Sequence, residues 1–74
     1  MLTHKEGLVM EKLFDAVLVT RYSVTKGRAL EGVIYNDAAK RFTNGTPVTT
    51  SPVVSFGGDI ALTESGTRYL ICEL

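Results

Sequence analysis

Seventy-four residues, 45% of them hydrophobic, with 8 basic and 8 acidic side chains, make one small domain of zero net charge. A single cysteine, Cys72, excludes an internal disulfide, and together with a single histidine, His4, it excludes an ordinary zinc site, which takes three or four such ligands. The balanced charge removes the basic excess that supplies bulk affinity for DNA or RNA, and no run of about 18 apolar residues is present to cross a membrane as a helix.

A chain of this length buries roughly 60% of the surface its unfolded form exposes. Domains this small often add an oligomer contact, so a homodimer is expected. No cofactor or metal is implied. Residues 1–12 read as an N-terminal segment, helical or loose, and residues 13–74 as a single small β domain. In the first segment Leu2, Leu8, Val9 and Leu13 fit a helical turn or two, against which Gly7 counts. The codons of Lys5-Glu6-Gly7 can spell a purine-rich ribosome-binding stretch, which offers Met10 as an alternative start and makes residues 1–9 an extension. Charged residues precede only a brief apolar patch at 8–10, so no secretory signal is read and a reduced cytoplasmic setting is expected.

Residues 13–24 (LFDAVLVTRYSV) form the first strand. Phe14, Ala16, Leu18, Tyr22 and Val24 make one face apolar apart from Thr20, and that face is expected to look inward. A helix over 10–19 competes, but the run Val17-Leu18-Val19-Thr20 favours extension of the second half. Thr25-Lys26-Gly27-Arg28 reads as a turn with a positive φ at Gly27. Residues 29–36 follow as a strand, bulged or bent at Gly32. Asn36-Asp37 can cap a short helical turn through 38–40, after which Phe42 is expected to return to the core. Asn44-Gly45 is the strongest hairpin signal.

Residues 46–56 (TPVTTSPVVSF) are extended but carry Pro47 and Pro52, which cannot donate to a ladder. Pro52 is expected to divide them as a strand is divided where it turns a barrel corner. Gly57-Gly58-Asp59 and Glu64-Ser65-Gly66 close two more hairpins, into 60–63 and 67–73. The fold class read from this rhythm is all-β: five short antiparallel strands in meander order, making a strongly bent, SH3-like barrel.

Each motif has a plain reading beside its chemical one. Gly57-Gly58-Asp59 invites a phosphate loop, but a strand follows where such a loop opens a helix. Asp15, Glu31, Asp37, Asp59, Glu64 and Glu73 are scattered and read as solvated charges, not as a catalytic pair held in a cleft. Cys72, between Ile71 and Glu73, reads as a small core or interface residue, with no neighbouring base to activate it. Asn44-Gly45-Thr46 fits a glycosylation triplet but reads as a turn. Arg21, Lys26, Arg28 and Arg41, with Tyr22, Tyr35, Phe42 and Tyr69 as stacking surfaces, are the candidate contacts to single-stranded nucleic acid.

Phe42-Thr43-Asn44-Gly45, then Val48, Thr50-Ser51 and Val53, then Thr63, Gly66-Thr67 and Tyr69-Leu70, match the pattern F-x-[ND]-G-x-x-V-x-T-S-x-V … T-x-x-G-x-x-Y-x-L up to its last position, where this chain has Ile71. Over roughly residues 32–70 the chain resembles short uncharacterised proteins carried by bacteriophages, prophages and related mobile elements. The resemblance implies a bacterial or phage cytoplasmic origin and brings no catalytic residue with it.

No catalytic constellation is present, and short strands leave edges that can accept an added strand. The function read from the sequence is therefore a non-enzymatic module that docks on an unidentified protein partner. A small barrel binding single-stranded nucleic acid is the alternative, and a self-assembling structural protein is the third reading.

Overall fold

A computed structural model describes residues 13–74. The N-terminal segment, with its helical reading and the alternative start at Met10, lies outside the described residues. Six strands follow in chain order: β1 (Ala16–Thr20), β2 (Glu31–Tyr35), β3 (Thr46–Thr49), β4 (Val53–Gly57), β5 (Ile60–Thr63) and β6 (Arg68–Glu73). They make one sheet in the order β3-β2-β1-β6-β5-β4. The all-β expectation holds. The count differs because the extended segment 46–56 becomes two strands, broken at Thr50-Ser51-Pro52 as Pro52 requires.

Two antiparallel three-stranded units meet at a parallel pair. β1 runs alongside β6 with Val17 opposite Leu70 and Val19 opposite Cys72. This corrects the all-antiparallel meander. The segments AVLVT and RYLICE hold the two most continuous apolar runs, and strands apolar on both faces belong at the centre of a sheet. The edge strands β3 and β4 do not pair with each other, so the sheet is not closed into a barrel. The connection between β1 and β2 ties its two margins together at one end. Gly27 N–H donates to Val53 O at 2.7 Å, Val53 N–H to Arg28 O at 2.9 Å, and Thr50 N–H to Leu30 O at 2.8 Å.

Ala16, Leu18, Leu30, Ile34, Val53, Ala61, Tyr69 and Ile71 form the buried core. Fully burying a side chain such as Leu18 or Ile34 is worth roughly 1.5–3 kcal/mol. The inward face of the first strand is confirmed for Ala16, Leu18 and Thr20, whereas Tyr22 lies past the end of β1 and is 61% exposed. Buried Thr20 donates to Glu31 O at 2.7 Å, and buried Thr63 donates to Thr67 O at 3.1 Å. Such pairing removes the penalty of an orphaned buried hydroxyl.

The turns fall where expected. Gly58 and Asp59 have φ of 56° and 65°, the two positive values a two-residue type I′ hairpin requires between β4 and β5. Four local expectations are corrected. Gly32 is not bulged, since it pairs regularly with Val48, and the bulge lies in β4 between Val53 and Ser55. Residues 38–40 form a single turn, not helix, because Lys40 takes a φ of 55°. Phe42 does not return to the core: it is 41% exposed, its ring 5.5 Å from the Arg41 guanidinium carbon. Cys72 is exposed, because alternation along β6 turns it away from the face that buries Ile71.

Candidate functional site

The four cations read from the sequence do not converge. Arg21 follows the end of β1, and Lys26 and Arg28 lie in the turn before β2; all three are exposed. Arg41 sits at the other end of β1, in the β2–β3 connection, where Ala38 N–H reaches Asp15 O at 2.8 Å. The length of β1, about 17 Å from Asp15 to Thr20, separates the two groups. Arg41 is also engaged: its Nε lies 3.1 Å from Asp37 Oδ2, and its backbone N–H donates to the same oxygen at 2.8 Å.

That carboxylate corrects the reading of all acids as solvated. The Asp37 side chain is 1% exposed. Burial works against its ionisation, but the Arg41 guanidinium and backbone N–H outweigh it and hold the pKa below its ordinary value. Asp15 is also paired, although its side chain stays 36% exposed. The backbone N–H of Arg68 donates to its Oδ2 at 2.9 Å and the guanidinium reaches Oδ1 at 3.2 Å, lowering its pKa in that order of effect. Asp37 is placed by its own loop, whereas Asp15 and Arg68 are 53 residues apart and are brought together by the parallel register of β1 and β6. Local spacing could have signalled Asp37 with Arg41, four residues on; nothing local signals Asp15 with Arg68. The Asp37 pair closes its own loop and the Asp15 pair joins the entry of β1 to the start of β6; each carboxylate already has its proton-donating partners, so neither is poised for acid–base work.

The grooves are shallow. One of ≈ 380 Å³ runs beside Tyr22, Arg28, Glu31 and Thr49. A second of ≈ 280 Å³ adjoins it over Val19, Gly32 and Val33. The first holds one carboxylate and one guanidinium, both exposed, and no nucleophile–base pair. No group of three or more metal-ligating side chains occurs among the described residues.

The edge strands differ in what they present. β3 carries Pro47, whose nitrogen has no hydrogen to offer, and has Thr46 and Thr49 beside it. β4 (VVSFG) carries neither proline nor charge, and Val54 and Phe56 are 38% and 45% exposed. Its open backbone follows from the hairpin. The closing pair Gly57 and Ile60 exchange both bonds across the two-residue turn, so at the next pair, Phe56 and Ala61, the Phe56 N–H and C=O face away from β5. Among the described residues no strand pairs with that side.

Comparison with protein-family models, curated proteins and solved structures finds no match to this chain. No helix among the described residues is long and apolar enough to cross a membrane.

Proposed function

We propose that this chain is a non-enzymatic protein-binding module that docks on a protein partner by accepting a strand along β4. The observation that carries the reading is the open, uncharged margin of β4, with Phe56 and Val54 exposed on it. Backbone bonds along such an edge supply affinity, and alternate side chains supply selectivity. The break between β3 and β4 at Pro52 and the tie from residues 27–28 to Val53 support a small, barrel-like fold of SH3-like outline as the scaffold. The pattern running from Phe42 to Leu70 supports an origin in a phage, prophage or mobile element and a cytoplasmic setting.

The test is capture from a bacterial host with tagged wild-type chain and a Phe56→Lys variant in parallel. The reading expects a protein enriched by the wild type and lost with the variant. Identical captures by both would overturn it.

One observation favours single-stranded nucleic acid as the second reading: Arg21, Lys26 and Arg28 lie in the same β1–β2 connection as Tyr22, which is 61% exposed and able to stack on a base. A mobility shift at low salt decides it.

A further inference from the structure

We infer that the strand received by β4 is β4 of a second copy of this chain, paired antiparallel across a two-fold axis at Phe56. The inference rests on the reading of β4 as the docking edge and adds the identity of the occupant.

Three features point to a second copy. The Phe56 N–H and C=O both face the open side, so two copies related by a two-fold exchange reciprocal N–H···O=C bonds between their Phe56 residues and bring the two rings into a cross-strand aromatic pair. The open run is also short. Val53 already uses its N–H and C=O on Arg28 and Gly27, and the bulge between Val53 and Ser55 interrupts the edge, which leaves the few residues around Phe56. A longer incoming strand would meet the 27–28 turn, whereas β4 itself stops after Gly57 in the two-residue turn Gly58-Asp59.

Charge supplies the third. Antiparallel pairing centred on Phe56 brings the Gly58-Asp59 turn that ends β4 in one copy beside Val53 of the other. Val53 is bonded to Gly27 and Arg28, so the Asp59 carboxylate arrives at the cationic turn that carries Lys26 and Arg28. Symmetry makes the contact twice. The strand between holds no charge, so no like charges are opposed along the pairing. An isologous contact of this kind closes at two copies and does not propagate.

Sedimentation equilibrium on the full chain, from about 1 μM to 1 mM, tests this. A reversible dimer is expected. Phe56→Lys should leave only monomer, and Asp59→Lys and Arg28→Glu should each weaken the dimer about tenfold. The double variant Asp59→Lys with Arg28→Glu should recover most of the loss, a result that general destabilisation cannot produce. Circular dichroism of each variant confirms that the sheet is retained. Wild-type chain that stays monomeric throughout overturns self-pairing, as does a dimer indifferent to both Phe56→Lys and the charge changes. If the wild type is monomeric but Phe56→Lys still loses a captured protein, self-pairing fails while the docking edge stands; if Phe56→Lys alters neither assembly nor capture, the docking edge itself falls.

Discussion

Gly32 in β2 lies against the main chain of Val19 in β1, so close that a β-carbon at position 32 would overlap the Val19 carbonyl oxygen and stand 3.1 Å from the Leu18 side chain. The glycine therefore permits close approach of two strand backbones at the centre of the β3-β2-β1 unit, and not the bulge its residue type suggests. Backbone cannot swing aside as a long side chain can. Gly32→Ala should destabilise the fold by about 2–3 kcal/mol, measured by urea denaturation, with the midpoint lowered and the slope unchanged.

Thr50 holds the corner between β3 and β4. Its hydroxyl oxygen accepts the Leu30 N–H at 2.9 Å and its proton goes to Ser51 O at 2.7 Å, in a residue only 8% exposed. Thr50→Val keeps the shape and leaves the Leu30 N–H unpaired, so a loss of about 1–3 kcal/mol is expected. Thr50→Ser, which keeps the hydroxyl, should lose markedly less. Equal losses would show that the methyl packing, not the bond, matters at this corner.

Acid should unfold the chain through Asp15 and Asp37. Both have folded pKa values below their ordinary ones, Asp15 through the Arg68 backbone and guanidinium, Asp37 because Arg41 outweighs the effect of burial. The unfolded state therefore binds more protons in acid. The stability these groups contribute is complete above the unfolded value, near pH 4, and is lost as pH falls through the folded values. Denaturation midpoints should be level from about pH 7 to pH 5 and fall below about pH 4. Asp37→Asn should lower the plateau and flatten the fall; a variant that keeps the wild-type slope would contradict the assignment.

The turn grammar was legible because it is local: the hairpin at Gly58-Asp59 and the break at Pro52 each depend on residues within a few positions. Strand pairing was less so. The parallel contact of β1 with β6 joins segments about 50 residues apart, and each strand, apolar on both faces, reads the same whether its neighbour runs parallel or antiparallel. Asp37 reads as solvated because an acid in a turn usually is, although the spacing to Arg41, four residues on, carries a local signal of the pair. Exposure of Cys72 removes the core half of its reading and leaves the interface half, because parity along β6, not its apolar neighbours, decides which way it faces. The open margin of β4 had no signal at all, since which strand lies at an edge is decided by the strand order.

Nucleic acid should not be retarded by this chain in a low-salt mobility shift if docking on protein is its role. A shift lost on Arg21→Ala with Lys26→Ala, and unchanged by Arg41→Ala, would move the assignment to the β1–β2 connection. Arg41 is not expected to contribute, because its guanidinium is held by Asp37.

Amide hydrogen exchange at Phe56 is the most direct measurement of whether β4 pairs with β4 of a second copy. In dilute solution this N–H faces the open side of an edge strand and should exchange within the fastest class of strand amides. Raising the concentration of the chain should slow it selectively, while Val33 and Ile71, inside the sheet, stay protected throughout. A Phe56 amide already protected at the lowest concentration would contradict the open edge, and one that stays fast at the highest would contradict its pairing with a second copy.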